Sequence, residues 1–123
     1  MLPEEDRVRL RHMVEAAQAA IEDTAGLERV DLDSRGTIVR SVLRCMEVIG
    51  EAASRVSSST RDAVPGVPWR QMVAMRNRLI HTYWGIDLDA VWITVKSDLP
   101  ALLADLREAL GEDEALDADP PPS

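Results

Sequence analysis

The chain has 123 residues, of which 46% are apolar, and a formal net charge of −8. This apolar content excludes a globally disordered protein, and the length fits one domain with a thin core that pairing with a second copy would enlarge. No apolar run approaches the roughly 18 to 20 residues of a membrane span. The N-terminus lacks a signal-peptide pattern, so we expect no membrane association.

The acidic charge is unevenly distributed along the chain. Residues 112–123 contain five acids and no base, and they end in a proline run, so we predict a disordered acidic tail behind a folded domain of residues 1–111. Residues 1–111 hold the other 17 acids and all 14 bases, of which 13 are arginine. This balance argues against a broad basic patch but permits a local anion site.

Apolar residues at helical spacing predict the first two helices. The first covers about residues 5–25 and ends at Gly26. The second covers about residues 34–57 and carries two adjacent apolar stripes, which predicts two packing partners and a central position. Cys45, the lone cysteine, falls within one stripe. We therefore expect a buried free thiol and a reducing, cytoplasmic compartment.

The second half of the chain predicts a loop and further helices. Serines and prolines make residues 57–68 a predicted loop. A third helix is expected from about residue 68 to Thr82, with Gly85 ending it and Asp87 capping the next helix, which Pro100 should kink or break. The predicted buried residues of the third helix are Trp69, Met72, Val73 and Ile80. Without any strand pattern, the predicted fold class is all-α, an antiparallel bundle of four to five helices.

The end of the third predicted helix combines apolar positions with an unusual set of polar ones, namely Arg76, Asn77, Arg78, His81 and Tyr83. Burial of such groups costs free energy unless each finds a partner. Arginine binds phosphate, and histidine transfers protons near neutral pH. The composition therefore suits a site that handles a phosphodiester.

The geometry of an ideal helix limits how these residues can act together. Asn77 and His81 would share one face, whereas Arg76 would lie about 140° from His81. Arg76 can reach a substrate at His81 only if the helix unwinds near its end or the long side chain extends around it. His81 could then take a proton from an RNA 2′-hydroxyl or give one to a leaving 5′-oxygen, while arginine stabilises the charge on phosphorus.

The proposed proton transfers by His81 lead to expectations about cofactors and about the number of subunits. No His, Cys or Asp cluster has metal-ligand spacing, so we expect neither a metal nor a cofactor. One histidine cannot readily be both acid and base. We therefore expect a two-fold homodimer that brings two copies of His81 together, with a spare apolar face of the second helix as its interface.

Structural roles account for the same residues. A single histidine at a helix end is more often a cap or a core residue than a catalyst. Arg76 can equally neutralise Glu47 or Glu51 of the second helix, and Glu51 is then the partner of an arginine rather than a general acid. His12, among charged residues of the first helix, is interpreted as solvated surface.

Several motifs in a consistent order resemble a known family. They are IGEAA at Ile49–Ala53, VPWRQMVAMRNRLIHTYWGID at residues 67–87, and then VW and DLP. Arg76, His81 and Tyr83 reproduce an Arg-x4-His-x-Tyr motif. Over about residues 36–110 the chain resembles the HepT-like branch of the HEPN superfamily.

The resemblance implies a dimeric helical bundle and a specific activity. Many HEPN proteins are metal-independent ribonucleases, so Arg76 and His81 would be catalytic, with Asn77 and Glu51 as supporting residues. HepT-like members are toxins of toxin–antitoxin pairs, and an MNT-type nucleotidyltransferase antitoxin neutralises them by transferring AMP to the tyrosine of the motif, here Tyr83. The alternative is a non-catalytic HEPN subunit that binds a nucleotidyltransferase or a nucleotide.

Overall fold

The computed structural model describes residues 2–81 and 85–117, apart from the side chains of Arg76, Ile80, His81 and residues 112–117. The helices are α1 (Glu4–Asp23), α2 (Gly36–Ser54), α3 (Ser58–Ala63), α4 (Trp69–Leu79), α5 (Leu88–Ile93) and α6 (Leu99–Asp117), with a 3-10 helix at Arg29–Asp33 and a π-helical segment at Thr94–Asp98. Two short strands, β1 (Ile80–His81) and β2 (Gly85–Ile86), follow α4. Within the described ranges, no helix has both the length and the apolar character needed to cross a bilayer.

The central helix is α2, as its two apolar stripes predicted. It packs against α1 on one side and α4 on the other, and α6 packs against α1. The predicted all-α bundle is therefore confirmed. The apolar face of α2 that is left free for a second copy is smaller than expected, because the rest of the same chain covers most of both stripes. Only Ile38, Leu43 and Cys45 of the stripes remain half-buried, so the Cys45 thiol is less enclosed than expected.

The segment predicted as a loop before α4 contains a short helix instead. The Ser57 side chain caps α3 by accepting a hydrogen bond from the amide of Thr60. Asp6 of α1, only 4% exposed, accepts hydrogen bonds from the amide and hydroxyl of Ser57 and from the hydroxyl of Thr60. Serine and threonine suit both loops and helix caps, and the anchor that selects the cap comes from a distant part of the sequence.

The hydrogen bonds to Asp6 also set its ionisation. Burial alone would raise the pKa of this carboxyl, but the hydrogen bonds from Ser57 and Thr60, together with the charge of Arg9, outweigh burial and lower the pKa below its ordinary value of 3.8. The charged carboxylate of Asp6 therefore links the start of α1 to the start of α3 through hydrogen bonds.

A close approach of backbones joins α2 to α4. A β-carbon placed on Gly50 would lie 3.3 Å from the carbonyl oxygen of Met72, tighter than most such contacts. The face of α4 that meets α2 includes Met72 and Met75, with 3% and 0% exposure, whereas Val73 is 40% exposed. The prediction that Val73 is buried is wrong, because the backbone contact at Gly50 turns this residue to the edge of the interface.

The C-terminal helices follow the predicted pattern with two differences. The Asp87 side chain caps α5 by accepting from the amide of Ala90, as expected. Pro100 does not break the chain of helices; the preceding turn widens into the π-helical segment, which fits the missing amide and bulky ring of proline. α6 continues to Asp117, so the first six residues of the predicted disordered tail are helical, and residues 118–123 lie outside the described residues.

Candidate functional site

The predicted catalytic residues lie where α4 is followed by a hairpin. α4 contains Arg76 and Asn77 and ends at Leu79, and His81 belongs to strand β1. The predictions of a helix to Thr82 and of no strand are both wrong. Branched and aromatic side chains follow Leu79 and disfavour helix, and Gly85 adopts a φ of +88°, which favours glycine.

The register of the hairpin fixes the backbone around His81. His81 pairs with Gly85, and the amide of Asp87 donates to the carbonyl of Leu79 at 3.0 Å. The helix therefore unwinds between Asn77 and His81, which is one of the two routes that the sequence required for joint action of Arg76 and His81. The predicted sharing of a helical face by Asn77 and His81 is wrong. Tyr83 lies outside the described residues.

Glu51 lies on the exposed side of α2. Its carboxylate binds the guanidinium of Arg55, with N–O distances of 2.8 and 2.9 Å. This agrees with the interpretation of Glu51 as the partner of an arginine, although the arginine is one turn further along its own helix. The predicted ion pair of Arg76 with Glu47 or Glu51 depends on the Arg76 side chain, which lies outside the described set.

A groove of about 850 Å³ opens where α1, α2 and α4 meet. Two predicted supporting residues, Asn77 and Glu51, line it together. The remaining lining residues are Arg9, His12, Arg44, Glu47, Val48, Gly50, Ala52, Ser54, Arg55 and Val73. The groove thus adjoins the end of α4 that carries the motif, because Asn77 directly follows Arg76.

His12 is the groove residue whose role the sequence did not suggest. It is exposed, as expected, but it also lines the groove. The available signal was the spacing of Arg9 and His12, three residues apart and so on one face of α1. Which face of α1 meets α2 is a tertiary property, so this spacing alone could not connect His12 to Asn77.

The charge of the groove differs from that of the whole chain. Three arginines (Arg9, Arg44 and Arg55) face two glutamates (Glu47 and Glu51), whereas the chain carries −8. One glutamate is already engaged by Arg55. In the part of the chain that the structure describes, exposed Arg44 has no ion-pair partner. The groove can therefore attract an anion locally.

Residues 10–109 match the family model described as Ribonuclease HepT-like. The chain belongs to the HepT-like ribonuclease family. The matched segment extends from α1 into α6 and includes α2, α4 and the hairpin, so it covers nearly all of the groove and the complete motif.

Individual relatives agree with this family. A Methanocaldococcus jannaschii protein named as a candidate RNase is 38% identical over 93 residues, which cover 76% of this chain and 85% of the relative. A second protein of that organism, similarly named, is 31% identical over 108 residues, covering 88% of this chain and 89% of the relative. A probable ribonuclease HepT of Thermococcus cleftensis is 44% identical over 62 residues, covering 50% and 56%. No solved structure matches the chain significantly.

Among the described side chains, no three His, Cys, Asp or Glu residues are grouped so that they could hold a metal ion. The expectation that the reaction needs neither metal nor cofactor is not tested by this arrangement and stays a prediction.

Proposed function

We propose that the chain is a metal-independent endoribonuclease whose catalytic residues are Arg76 and His81, with Asn77 and Glu51 in support. The observation that carries the proposal is the position of the groove. Asn77, the residue after Arg76, lines an open cleft with three arginines, in a chain of the HepT-like ribonuclease family. The relatives described above are named as ribonucleases or candidate RNases, which supports RNA as the substrate.

The proposed chemistry is transfer of phosphorus to an internal oxygen. The RNA 2′-hydroxyl attacks the adjacent phosphorus and loses its proton to a His81 imidazole. The bond from phosphorus to the 5′-oxygen breaks, and that oxygen leaves with a proton from an imidazolium. The guanidinium of Arg76 stabilises the charge that develops on the phosphoryl oxygens. The products are a 2′,3′-cyclic phosphate and a 5′-hydroxyl end, and no water is consumed.

A homodimer completes this mechanism, since the two proton transfers need a base and an acid. Two copies of His81 related by a two-fold axis supply both groups. The hairpin at the end of α4 is a surface through which a second copy can approach, next to the groove. We accordingly propose that cleavage depends on the dimer.

We further propose that the chain is the toxin of a toxin–antitoxin pair, neutralised by an MNT-type nucleotidyltransferase. The Tyr83 hydroxyl would attack the α-phosphorus of ATP in the antitoxin, forming a phosphodiester with AMP and releasing pyrophosphate. A phosphate charge and a nucleoside two residues from His81 would exclude an RNA phosphate from the site by repulsion and bulk. A cytoplasmic location follows from this role and from the free Cys45.

RNA cleavage in EDTA tests the proposed activity. Purified wild type should cut single-stranded RNA and leave 5′-hydroxyl ends, while Arg76→Ala and His81→Ala should each reduce the rate by at least about 100-fold. Arg35→Ala, at an exposed arginine outside the groove, is the matched control for charge and should cut normally. His12→Ala controls for loss of an imidazole and should still cut at saturating RNA.

Two outcomes would reject this activity. One is full cleavage by His81→Ala under the same conditions, and the other is a wild-type activity that EDTA abolishes. Wild type that binds a nucleotidyltransferase but cuts no RNA would instead support the non-catalytic alternative.

A further inference from the structure

The basic wall of the groove comes from residues outside the Arg-x4-His-x-Tyr motif. Arg9 and His12 lie on α1, Arg44 lies on α2, and Arg55 directly follows the last residue of α2. We propose that these four residues form a track for RNA backbone phosphates that leads to Asn77 and the motif-bearing end of α4. This proposal rests on the proposed ribonuclease function. It says where the RNA backbone on one side of the reacting phosphate binds.

Local charge favours the binding of RNA along the track. A chain of net charge −8 repels polyanions overall, so RNA binding needs a local excess of cations. The groove provides this excess, with three arginines against two glutamates. Exposed Arg44 has no ion pair among the described residues, so no internal bond must break before it binds a phosphate.

Arg9 is held in a fixed position by its surroundings. This side chain is half-buried, and its Nε is fully enclosed with no hydrogen-bond acceptor among the described residues. A guanidinium whose stem is held by packing loses less conformational entropy on binding a phosphate than a freely moving one. Arg9 therefore provides a preorganised contact at the α1 edge of the groove, and the nearby Asp6 carboxylate offsets part of its charge.

The Glu51–Arg55 ion pair modulates the charge of the track. Both residues line the groove, and the N–O distances between them are 2.8 and 2.9 Å. The Glu51 carboxylate therefore compensates most of the charge of the Arg55 guanidinium. A phosphate that binds Arg55 must compete with Glu51. The pair therefore weakens the track at this point, and removal of the Glu51 charge should strengthen RNA binding.

The lining also predicts the kind of RNA recognition. None of the described groove residues is Phe, Tyr or Trp, so this described part of the groove has no aromatic platform on which bases could stack. Arginine and histidine contacts to phosphate oxygens do not depend on base identity. Binding along the track should therefore be insensitive to sequence and strongly sensitive to salt.

The test measures binding without cleavage. A fluorescent single-stranded RNA with 2′-O-methyl groups lacks the attacking hydroxyl, so its affinity for the full chain can be measured by anisotropy at several salt concentrations. Arg44→Gln should weaken binding about three- to fivefold. It should also reduce the slope of log affinity against log salt by about 0.7, the value for one lost phosphate contact on a single strand.

Matched variants separate charge from folding. Arg44→Lys should restore most of the salt slope, and Arg35→Gln, which removes the same charge outside the groove, should bind as wild type. Glu51→Gln should bind about three- to fivefold more tightly. Arg9→Gln should resemble Arg44→Gln, and exposed Arg44 keeps the test valid if the partly buried Arg9 variant is unstable.

The outcomes distinguish this inference from the proposed function. If wild type cuts RNA but Arg44→Gln and Arg9→Gln retain the wild-type affinity and salt slope, the track is wrong and the ribonuclease proposal stands. If the slopes fall as expected but no RNA is ever cut, the track stands and the catalytic proposal fails. If these variants instead change the molar mass measured by light scattering and leave RNA affinity unchanged, the groove is an interface between copies and the track is rejected.

Discussion

The backbone amide of Asp87 donates a hydrogen bond of 3.0 Å to the carbonyl oxygen of Leu79. Leu79 is the last residue of α4 and is buried, and Asp87 is the residue that caps α5. The bond closes the segment that contains His81, so the ends of that segment are held by two packed helices. The backbone position of the proposed catalytic histidine thus depends on both helices.

Asp87→Ala tests this dependence. Alanine cannot accept the hydrogen bond from the Ala90 amide, so we expect α5 to fray and the free energy of unfolding to fall by about 1 kcal/mol. RNA cleavage should fall more than stability suggests, because the backbone bond from residue 87 to Leu79 remains but the start of α5 that positions its donor is loosened. Asp87→Asn retains a capping oxygen and serves as the control. Urea unfolding and cleavage rates measure the two effects, and wild-type values of both for Asp87→Ala would contradict the expectation.

Tyr83→Phe separates cleavage from the proposed regulation. Phenylalanine keeps the ring and removes only the hydroxyl that would accept AMP, so cleavage should stay within about twofold of wild type, a change below 0.5 kcal/mol. The variant should no longer gain the mass of AMP when incubated with the nucleotidyltransferase and ATP, and it should remain toxic when the antitoxin is present. If Tyr83→Phe did not cut RNA, the tyrosine hydroxyl would instead have a catalytic or structural role.

Asp6→Asn should make the chain less stable in a pH-dependent way. The folded pKa lies below 3.8, so the unfolded chain binds more protons at acid pH. The stabilisation from the charged carboxylate is therefore complete well above pH 3.8 and is lost as the pH falls through the folded pKa. At pH 7 the variant should lose about 1 to 3 kcal/mol, because buried donors lose a charged acceptor.

The measurement for Asp6 is urea unfolding at several pH values. The difference between wild type and Asp6→Asn should shrink below pH 3.8, where the wild-type carboxyl also becomes neutral. Asp62→Asn, at an exposed aspartate of α3, should show little difference at any pH. A constant deficit for Asp6→Asn across the whole range would show that packing rather than charge is responsible.

Gly50 and Gly111 provide a matched pair of helical glycines. Gly50→Val should destabilise the chain by about 1 to 3 kcal/mol, since its side chain would press on the carbonyl groups of Met72 and Val73. Gly111→Ala should stabilise by about 0.5 to 1 kcal/mol, because nothing lies within 4 Å of the added carbon and alanine favours helix. Thermal unfolding compares the two. Tolerance of valine at Gly50 would mean that α2 and α4 can separate without cost.

The sequence alone determined the helical elements, because apolar spacing is a local property. Two stripes on α2 predicted its central position, and Asp87 predicted the cap of α5, and both are confirmed. The family resemblance depended on motif order and is confirmed by the match over residues 10–109. These features were predictable because each depends on residues close together in the sequence or on the order of motifs along the chain.

Tertiary structure decided what distant residues do to each other. The cap of α3 requires Asp6, the exposure of Val73 follows from the approach of α4 to Gly50, and the hairpin at His81 is closed by a bond from Asp87. Likewise, His12 reaches the same groove as Asn77 only because α1 and α4 pack on one helix. Local propensity alone does not select the conformation at these positions, so contacts between distant segments supply the remaining free energy.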